Sequence, residues 1–254
     1  MKIDLNCDMG ESFGRYRIGA DEEMMTVITS ANIACGYHAG DPLVMDKTVR
    51  LAVEYGVGIG AHPGFPDLMG FGRRNMSLSP EEIENYVLYQ IGALAAFARA
   101  AGTKLAHVKP HGALYNMAAK DLQMAQAIAR AVARFDKGLI LVCPPNSEME
   151  KAARELGLRV AREGFADRAY NADGSLRSRR LPGALIEDPQ EAAERVVRMV
   201  KEGIVVAYTG EEIPMQVETI CVHGDTPAAV EIAKAVRKAL EAAGIEVVPM
   251  GKLV

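Results

Sequence analysis

Hydrophobic and polar positions follow two spacings along the chain, and each spacing predicts one kind of element. Short apolar runs, typical of buried strands, separate longer stretches in which apolar residues recur every three or four positions, as on an amphipathic helix. The short runs predict strands at 3–8, 32–36, 57–61, 105–110, 139–143, 159–162, 219–222 and 246–249. The longer stretches predict helices at roughly 42–55, 80–101, 121–137, 147–156, 189–202 and 227–243.

The predicted helices have clear starting signals. A capping residue followed by proline opens four of them, at Asp41, Ser79, Asp188 and Thr226. The capping oxygen accepts a hydrogen bond from a first-turn N–H, and proline suits the first helical position because its own N–H is not needed there. Strands that alternate with helices through short links predict a parallel sheet and an α/β fold. Seven or eight such units fit a closed β/α barrel better than an open doubly wound sheet.

The length of 254 residues suits one large barrel domain over 1–254. One stretch, 166–215, interrupts the alternation with several arginines, a helix and a turn-rich segment. We expect it to be an excursion that covers one side of the barrel mouth.

Charge and composition exclude several kinds of partner. The net charge is −4 with the signs interleaved, and without a basic run we expect neither a nucleic acid nor a membrane partner. No apolar run approaches the roughly 18–20 residues of a membrane span, and the first residues read as a strand rather than a signal peptide. The four cysteines are far apart, which predicts reduced thiols and a cytoplasmic location.

The first predicted strand carries polar residues where a barrel strand is normally apolar. Asp4, Asn6 and Asp8 alternate with apolar residues and therefore share one face, which we expect to point into the barrel. Burial of carboxylates there is costly unless they are paired, hydrogen-bonded or metal-bound. Asp4 and Asn6 are explained by structural bonds to neighbouring strands, whereas Asp8, at the strand end, is better explained by function.

All five histidines of the chain lie in or just after predicted strands, at His38, His62, His107, His111 and His223. Strand ends of a barrel meet at its mouth, where active sites are built. His107, Lys109 and His111 alternate along one strand and so share a face. Lys109 could stabilise an oxyanion or hold a carboxylate. His107 is the deepest of the three and has an equally good structural explanation.

The remaining candidates have alternative explanations too. Asp41 is accounted for as a helix cap, and Asp225 either orients His223 as a base or helps to start the next helix. The sequence has no nucleophile-elbow serine motif, no phosphate-binding P-loop and no dinucleotide fingerprint. Acids, histidines and one lysine favour general acid–base hydrolysis, with or without a metal.

Five stretches together resemble the LamB/YcsF family. They are Asp4-Leu-Asn-Cys-Asp8-Met-Gly-Glu11-Ser-Phe-Gly, Asn32-Ile-Ala-Cys-Gly-Tyr-His38-Ala-Gly-Asp41, Gly60-Ala-His62-Pro-Gly, Lys109-Pro-His111-Gly-Ala-Leu-Tyr115 and Val222-His223-Gly-Asp225. The resemblance implies a seven-stranded β/α barrel of the glycoside hydrolase/deacetylase type. It also implies hydrolysis of the cyclic amide of 5-oxoproline to L-glutamate, as one component of an ATP-dependent 5-oxoprolinase with partner subunits B and C. ATP would be a co-substrate handled largely by those partners.

The resemblance also suggests roles for individual residues. The catalytic set would be Asp8, His38, His62, Lys109, His111 and His223. The substrate-binding set would be Asn6, Glu11, Asp41, Tyr115 and Asp225. Two alternatives stay open: a deacetylase-like hydrolase with a divalent metal held by Asp8, His38 and His62, and a protein that binds the lactam without catalysis.

Overall fold

Seven parallel strands close into a barrel in the computed structural model, which describes residues 1–224 and 228–254. The barrel strands are β1 (Lys2–Met9), β2 (Ser30–Ala34), β3 (Gly58–His62), β4 (His107–Val108), β5 (Ile140–Cys143), β6 (Arg159–Phe165) and β9 (Thr219–Val222). They are hydrogen-bonded in the order β1-β2-β3-β4-β5-β6-β9, and β9 pairs with β1 to complete the circle. This confirms the predicted seven-stranded barrel.

The helices pack around the barrel and bury its outer face. They are α1 (Asp21–Met25), α2 (Pro42–Tyr55), α3 (Pro80–Ala100), α4 (Gly112–Ala118), α5 (Leu122–Phe135), α6 (Glu148–Glu155), α7 (Pro189–Glu202) and α8 (Ala229–Ala242). Their apolar stripes join the strands in one large core, in which side chains such as Leu5, Ile33 and Leu94 are fully buried. The fold is therefore a single domain. Within the described residues, every helix is too short or too polar to traverse a lipid bilayer.

Three of the four predicted helix caps lie within the described residues, and each forms the expected side-chain hydrogen bond. Asp41 accepts from the N–H groups of Leu43 and Val44, and Ser79 and Glu82 form a complete capping box at the start of α3. Asp188 accepts from the N–H of Glu191 at the start of α7. The fourth predicted cap, at residues 226 and 227, lies outside the described residues.

Some elements differ from the prediction because they are too short for periodicity to show. Helices α1 and α4 have 5 and 7 residues. Two further strands, β7 (Ile204–Val206) and β8 (Glu212–Pro214), form an antiparallel hairpin outside the barrel. The predicted last strand is β10 (Glu246–Val247), which pairs with the beginning of β1 and is not part of the closed barrel.

The stretch between β6 and α7 holds two antiparallel bridges, Arg168 with Leu185 and Tyr170 with Leu176. Backbone bonds tie it together, for example Ala169 N–H to Ala184 O and Arg177 N–H to Ala169 O. The segment rises from the C-terminal end of β6, which places it beside the barrel mouth.

Candidate active site

A cavity of about 820 Å³ opens at the C-terminal end of the barrel. Its floor consists of side chains from strand ends, and the segment after β6 forms much of its wall. The predicted site residues that line it are Asp8, His62, Lys109, His111, Tyr115 and His223. The structure therefore brings together side chains from widely separated parts of the sequence.

A buried lysine with two carboxylates forms the centre of the floor. Lys109 Nζ lies 2.9 Å from Asp8 Oδ1 and 2.8 Å from Glu163 Oε1, and all three side chains are buried. Burial disfavours the charged forms of Asp8 and Lys109, but the attraction between opposite charges outweighs this cost. The pKa of Asp8 is held well below its usual range by His62 and Lys109, and the pKa of Lys109 is raised well above its own by Asp8, Cys221 and Glu163.

Two asparagine side chains lie beneath Asp8, and one of them, Asn32, donates a hydrogen bond to its carboxylate. Asn32 Nδ2 donates to Asp8 Oδ1 at 2.9 Å and to Asn6 Oδ1 at 2.7 Å, and its own oxygen accepts from His107 Nε2 at 2.7 Å. Asn6 also donates to Glu163 Oε1 at 3.1 Å. Burial lowers the pKa of His107 to about 3, so this ring is neutral and serves the network as a donor.

Asp4 lies one step deeper, at the bottom of the barrel. Its carboxylate accepts from Thr29, Ser30 and Thr219 hydroxyls at 2.5 to 2.9 Å and from Met250 N–H at 3.0 Å. It is fully buried and does not line the cavity. These contacts support the structural explanation of Asp4.

Three histidines and a glutamate form a second cluster beside Asp8. The rings of His38 and His111 stack at 3.7 Å between centroids, and His62 stands at right angles to both. Glu11 Oε1 lies 3.2 Å from His38 Nε2 and 3.5 Å from His111 Nδ1. Burial, followed by the neighbouring rings, lowers the pKa of His38 and of His111 well below 6.5, which keeps both neutral.

Glycines make room for these rings. A Cβ atom at Gly64 would lie 2.7 Å from His38 Nδ1, and one at Gly72 would lie 2.7 Å from His38 Cβ and 2.9 Å from His111 Cδ2. Gly72 also has a φ of +64°, which favours glycine. The glycine-rich loop after β3 is thus the back wall of the histidine cluster, and His38 lies behind His111, away from the cavity.

Hydrogen bonds to backbone carbonyls fix the tautomers of two histidines. His62 Nδ1 donates to Lys109 O at 2.7 Å, and His111 Nε2 donates to Phe71 O at 2.8 Å. In their neutral forms, the remaining atoms, His62 Nε2 and His111 Nδ1, both present lone pairs, and they lie 3.0 Å apart. Asp8 Oδ2 is 3.4 Å from the same His62 Nε2. Such a convergence of acceptors requires a shared proton or a cation.

His223 also lines the cavity, with a ring nitrogen within 4.8 Å of an Asp8 carboxylate oxygen, and it pairs with Asp167 behind it. His223 Nδ1 lies 3.0 Å from both Asp167 oxygens, its backbone N–H donates to Asp167 Oδ2, and its ring stacks on Phe165. Burial would raise the pKa of Asp167, but the charge and hydrogen bonds of His223 outweigh it and lower that pKa. The pair fixes the orientation of the imidazole through Nδ1, with Nε2 on the side of the ring away from Asp167.

The other predicted site residues have different surroundings. Tyr115 donates to Glu163 Oε2 at 2.8 Å, and burial together with Glu163 raises the pKa of Tyr115. Asp41 caps α2 and accepts from Gly14 N–H at 2.7 Å, so its carboxylate is engaged outside the cavity. Asp225 lies outside the described residues. A binding role for these residues stays a prediction.

Sequence reasoning missed three polar residues of the site: Glu163, Asp167 and Asn32. Glu163 lies one residue beyond the end of a predicted strand, and Asp167 falls in the excursion. Both are acids at the C-terminal end of a barrel strand, the same signal that selected Asp8. Asn32 lies within a quoted motif, but an asparagine in a strand carries no chemistry of its own, and only the structure shows that it holds Asp8.

Barrel and floor together define a β/α barrel with a hydrolase-type site of acids, histidines and a lysine at its strand ends. The sequence profile of the LamB/YcsF family matches residues 3–254. The chain therefore belongs to the LamB/YcsF family, which confirms the resemblance described above.

Three known proteins show how this chain compares with others. It is 60% identical over 254 residues to the A subunit of 5-oxoprolinase from Pyrococcus horikoshii, with 100% of each chain covered. It is 54% identical to the lactam utilization protein of Thermus thermophilus, whose crystal structure it matches with a TM-score of 0.93 over 98% of this chain and 99% of that one. A "T48 deacetylase with substrate" shares only the fold, at 16% identity and a TM-score of 0.52 over 99% of this chain and 89% of that one.

Proposed function

We propose that this chain is the A subunit of an ATP-dependent 5-oxoprolinase, in which it opens activated 5-oxoproline to L-glutamate. The naming of its full-length relatives supports this assignment. Within the molecule, the supporting observation is the arrangement of Asp8 and Lys109 on the cavity floor, beside the His223–Asp167 pair. Ring opening needs a directed water, stabilisation of charge on the carbonyl oxygen, and a proton for the departing nitrogen.

Asp8 and Lys109 would act on the carbonyl side of the reaction. Asp8 is held ionised by Lys109 and His62, which makes it a fixed negative charge that orients water and accepts its proton. Lys109 has acceptors on every side, at Asp8, Glu163, Asn6 and Cys221. It therefore stabilises a developing oxyanion through its charge more than through a free hydrogen bond.

His223 would act on the nitrogen side. Its Nδ1 is fixed by Asp167, so Nε2 is the atom that can hold a proton toward the cavity. Water adds to the activated carbonyl carbon while Asp8 takes its proton, and the ring C–N bond breaks as the nitrogen takes a proton from His223. The carboxyl group formed in this way still carries the activating group on oxygen, and a second water releases that group to give L-glutamate. Asp167 is a positioning residue in this scheme, because it orients the imidazole without contacting the ligand.

Partner subunits complete the proposal. An amide resists attack by water because of its resonance, and the sequence has no P-loop of its own. We assign the use of ATP largely to subunits B and C, which would activate the lactam before this chain hydrolyses it. The four buried thiols accord with a cytoplasmic location.

The histidine cluster fits a divalent metal, which makes a metal-dependent hydrolase the second candidate. His62 Nε2, His111 Nδ1, Glu11 Oε1 and Asp8 Oδ2 offer nitrogen and oxygen ligands of the kind that zinc takes. A bound ion would supply Lewis-acid activation of the carbonyl or of water. Whereas the sequence suggested His38 as a ligand, its hydrogen bond to Glu11 makes it a support for that carboxylate.

Elemental analysis after growth with zinc, cobalt and manganese tests this second candidate. We expect about one ion per chain, lost in His62→Ala and His111→Ala but retained in His223→Gln, the matched histidine variant outside the ligand set. Metal-free wild-type protein would refute the metal and leave the shared proton between His62 and His111.

Reconstitution with subunits B and C, 5-oxoproline and ATP tests the proposed function. We expect glutamate release that requires all three subunits and is lost in Asp8→Asn. The matched control is Asp46→Asn, which removes a half-buried aspartate of α2 that pairs with Arg50 on the outside of the barrel. Loss of turnover with intact partner assembly and ligand binding supports catalysis by this chain, whereas turnover that falls only in parallel with ligand binding supports a carrier. No glutamate from an assembled wild-type complex would refute the assignment.

A further inference from the structure

The charge of the cavity is opposite to that of the chain. The whole protein carries a net charge of −4. The cavity lining, in contrast, includes eight lysine and arginine residues and only two carboxylates, Asp8 and Glu163, among the described residues. Both carboxylates lie on the floor and already contact Lys109. Above the floor, Arg74 pairs with Asp67 and Lys120 pairs with Asp173, but the other lining cations leave an excess of positive charge. A positive, partly enclosed surface concentrates anions.

The cations of the wall come from one segment, the excursion after β6. Arg168, Arg177, Arg179 and Arg180 all line the cavity. Arg168 is buried, and its guanidinium donates to the backbone oxygens of Arg177 and Ala184. Burial and the nearby charge of Arg179 lower the pKa of Arg168 to about 10, so it stays charged at neutral pH.

Backbone contacts hold the guanidinium groups of Arg168 and Arg177 in place. Arg177 donates to Pro182 O at 3.0 Å, and its guanidinium lies 3.7 Å above the ring of Tyr208. Neither contact neutralises its charge. Guanidinium groups that are oriented by carbonyls and aromatic rings keep their remaining N–H donors for a ligand, and their planar fork matches the oxygens of phosphate or carboxylate.

The size of the cavity points to a ligand larger than the free lactam. Cavities of about 300–1,000 Å³ hold drug-sized ligands, and this one has about 820 Å³. 5-Oxoproline is a single five-membered ring with one carboxylate. It can occupy the floor near Lys109 and His223, but it leaves the space beside the arginine wall unfilled.

We propose that Arg168, Arg177, Arg179 and Arg180 form a phosphoryl subsite above the catalytic floor. The ligand class is a lactam that carries a phosphoryl group on its carbonyl oxygen, with the ring on the floor and the phosphoryl oxygens on the arginine wall. This inference rests on the proposed function for the identity of the ring. A nucleotide phosphate shares the same chemistry, and the probes below separate the two sources.

Isothermal titration calorimetry of the purified chain with inorganic phosphate, acetyl phosphate and ADP tests the subsite. We expect saturable binding of phosphate and acetyl phosphate that is weakened about ten-fold in Arg179→Gln and in Arg180→Gln, as for the loss of one charge-assisted hydrogen bond. Arg154→Gln removes the same charge from the last turn of α6, at the other end of the barrel, and should leave binding unchanged. ADP binding at least ten-fold tighter than phosphate would identify a nucleotide as the phosphoryl source.

Three results would overturn the subsite: no saturable binding of any probe, equal weakening in Arg154→Gln, or arginine variants that lose affinity for subunits B and C but keep phosphate binding. The arginines would then contribute only general positive charge, or they would form an interface with a partner subunit. Arg168→Gln adds a buried position to the series, and circular dichroism checks its folding.

The subsite and the proposed function can fail separately. If wild-type complex releases no glutamate but phosphate binding depends on the arginines, the function fails and the subsite stands. If the arginine variants keep full glutamate release and unchanged KM for 5-oxoproline and ATP, the subsite fails and the function stands.

Discussion

Asp4 should make the stability of the protein depend on pH in a direction opposite to that of most carboxylates. Burial raises its pKa from 3.8 to about 6, and the hydrogen bonds from Ser30, Thr219, Thr29 and Met250 offset only part of that rise. The rise corresponds to about 3 kcal/mol. Because the pKa is higher in the folded state, this stability is complete below about pH 3.8 and is lost as pH rises through about 6.

Asp4→Asn isolates this contribution, because asparagine is neutral at every pH. Urea denaturation at pH 4, 6 and 8 gives the free energy of unfolding of both proteins. Between pH 4 and pH 8, the wild type should lose about 2.5 kcal/mol relative to Asp4→Asn, slightly less than the full contribution because some Asp4 of the unfolded chain is ionised at pH 4. Any cost of the altered hydrogen bonds adds the same amount at each pH and does not affect this comparison.

Asp46→Asn, at a helix position where the aspartate pairs only with Arg50 on the same helix, serves as the matched control. Its difference from wild type should change by less than about 0.5 kcal/mol over the same range. A constant difference between wild type and Asp4→Asn would refute the reasoning, since it would mean that Asp4 ionises as easily in the folded protein as in the unfolded chain. Because Asp4 lies below the cavity, Asp4→Asn should also retain glutamate release in the reconstituted complex.

Three further outcomes follow from the contacts of the site and of one helix. Lys109→Met leaves Asp8 without its cation, so urea denaturation at pH 7 should show a loss of about 3–5 kcal/mol, and a loss below about 1 kcal/mol would contradict the ion pair. Asp167→Asn should lower kcat by about 10²-fold or more with little change in KM, because His223 loses its fixed tautomer. An unchanged kcat would exclude the positioning role. Ser79→Ala should cost about 1 kcal/mol in thermal or urea unfolding, and no cost would mean that the capping box is not needed.

Sequence patterns predict the barrel well because its strands and longer helices repeat with clear periods and caps. They are less exact about bounds: a strand is predicted at 105–110, whereas β4 covers His107–Val108, and backbone bonds from Ala106 N–H to Ile59 O and from Lys109 N–H to Ala61 O continue its pairing on either side. The hairpin of β7 and β8 is not predicted, because strands of three residues are too short for a periodicity to show.

The candidate site, too, is predictable from the sequence only in part. Asp8 and Lys109 are predictable because a charged residue at a strand end of a barrel needs an explanation. The pairing of Asp167 with His223 is not, since the two residues come from different strands and the adjacent Asp225 offered a nearer partner in sequence. Likewise, the facing lone pairs of His62 and His111 depend on which backbone carbonyl each ring reaches, and sequence carries no signal for that.

The excursion after β6 separates two tasks that many enzymes combine in the same residues. The floor of the cavity belongs to the barrel strands, whose hydrogen bonds and core packing tolerate little change. The arginine wall belongs to the segment between β6 and α7, which lies outside the barrel strands and has backbone bonds of its own. A chimera that exchanges this segment between barrels should alter ligand preference while the chemistry underneath persists. Such a division would let ligand choice diversify in evolution faster than the reaction.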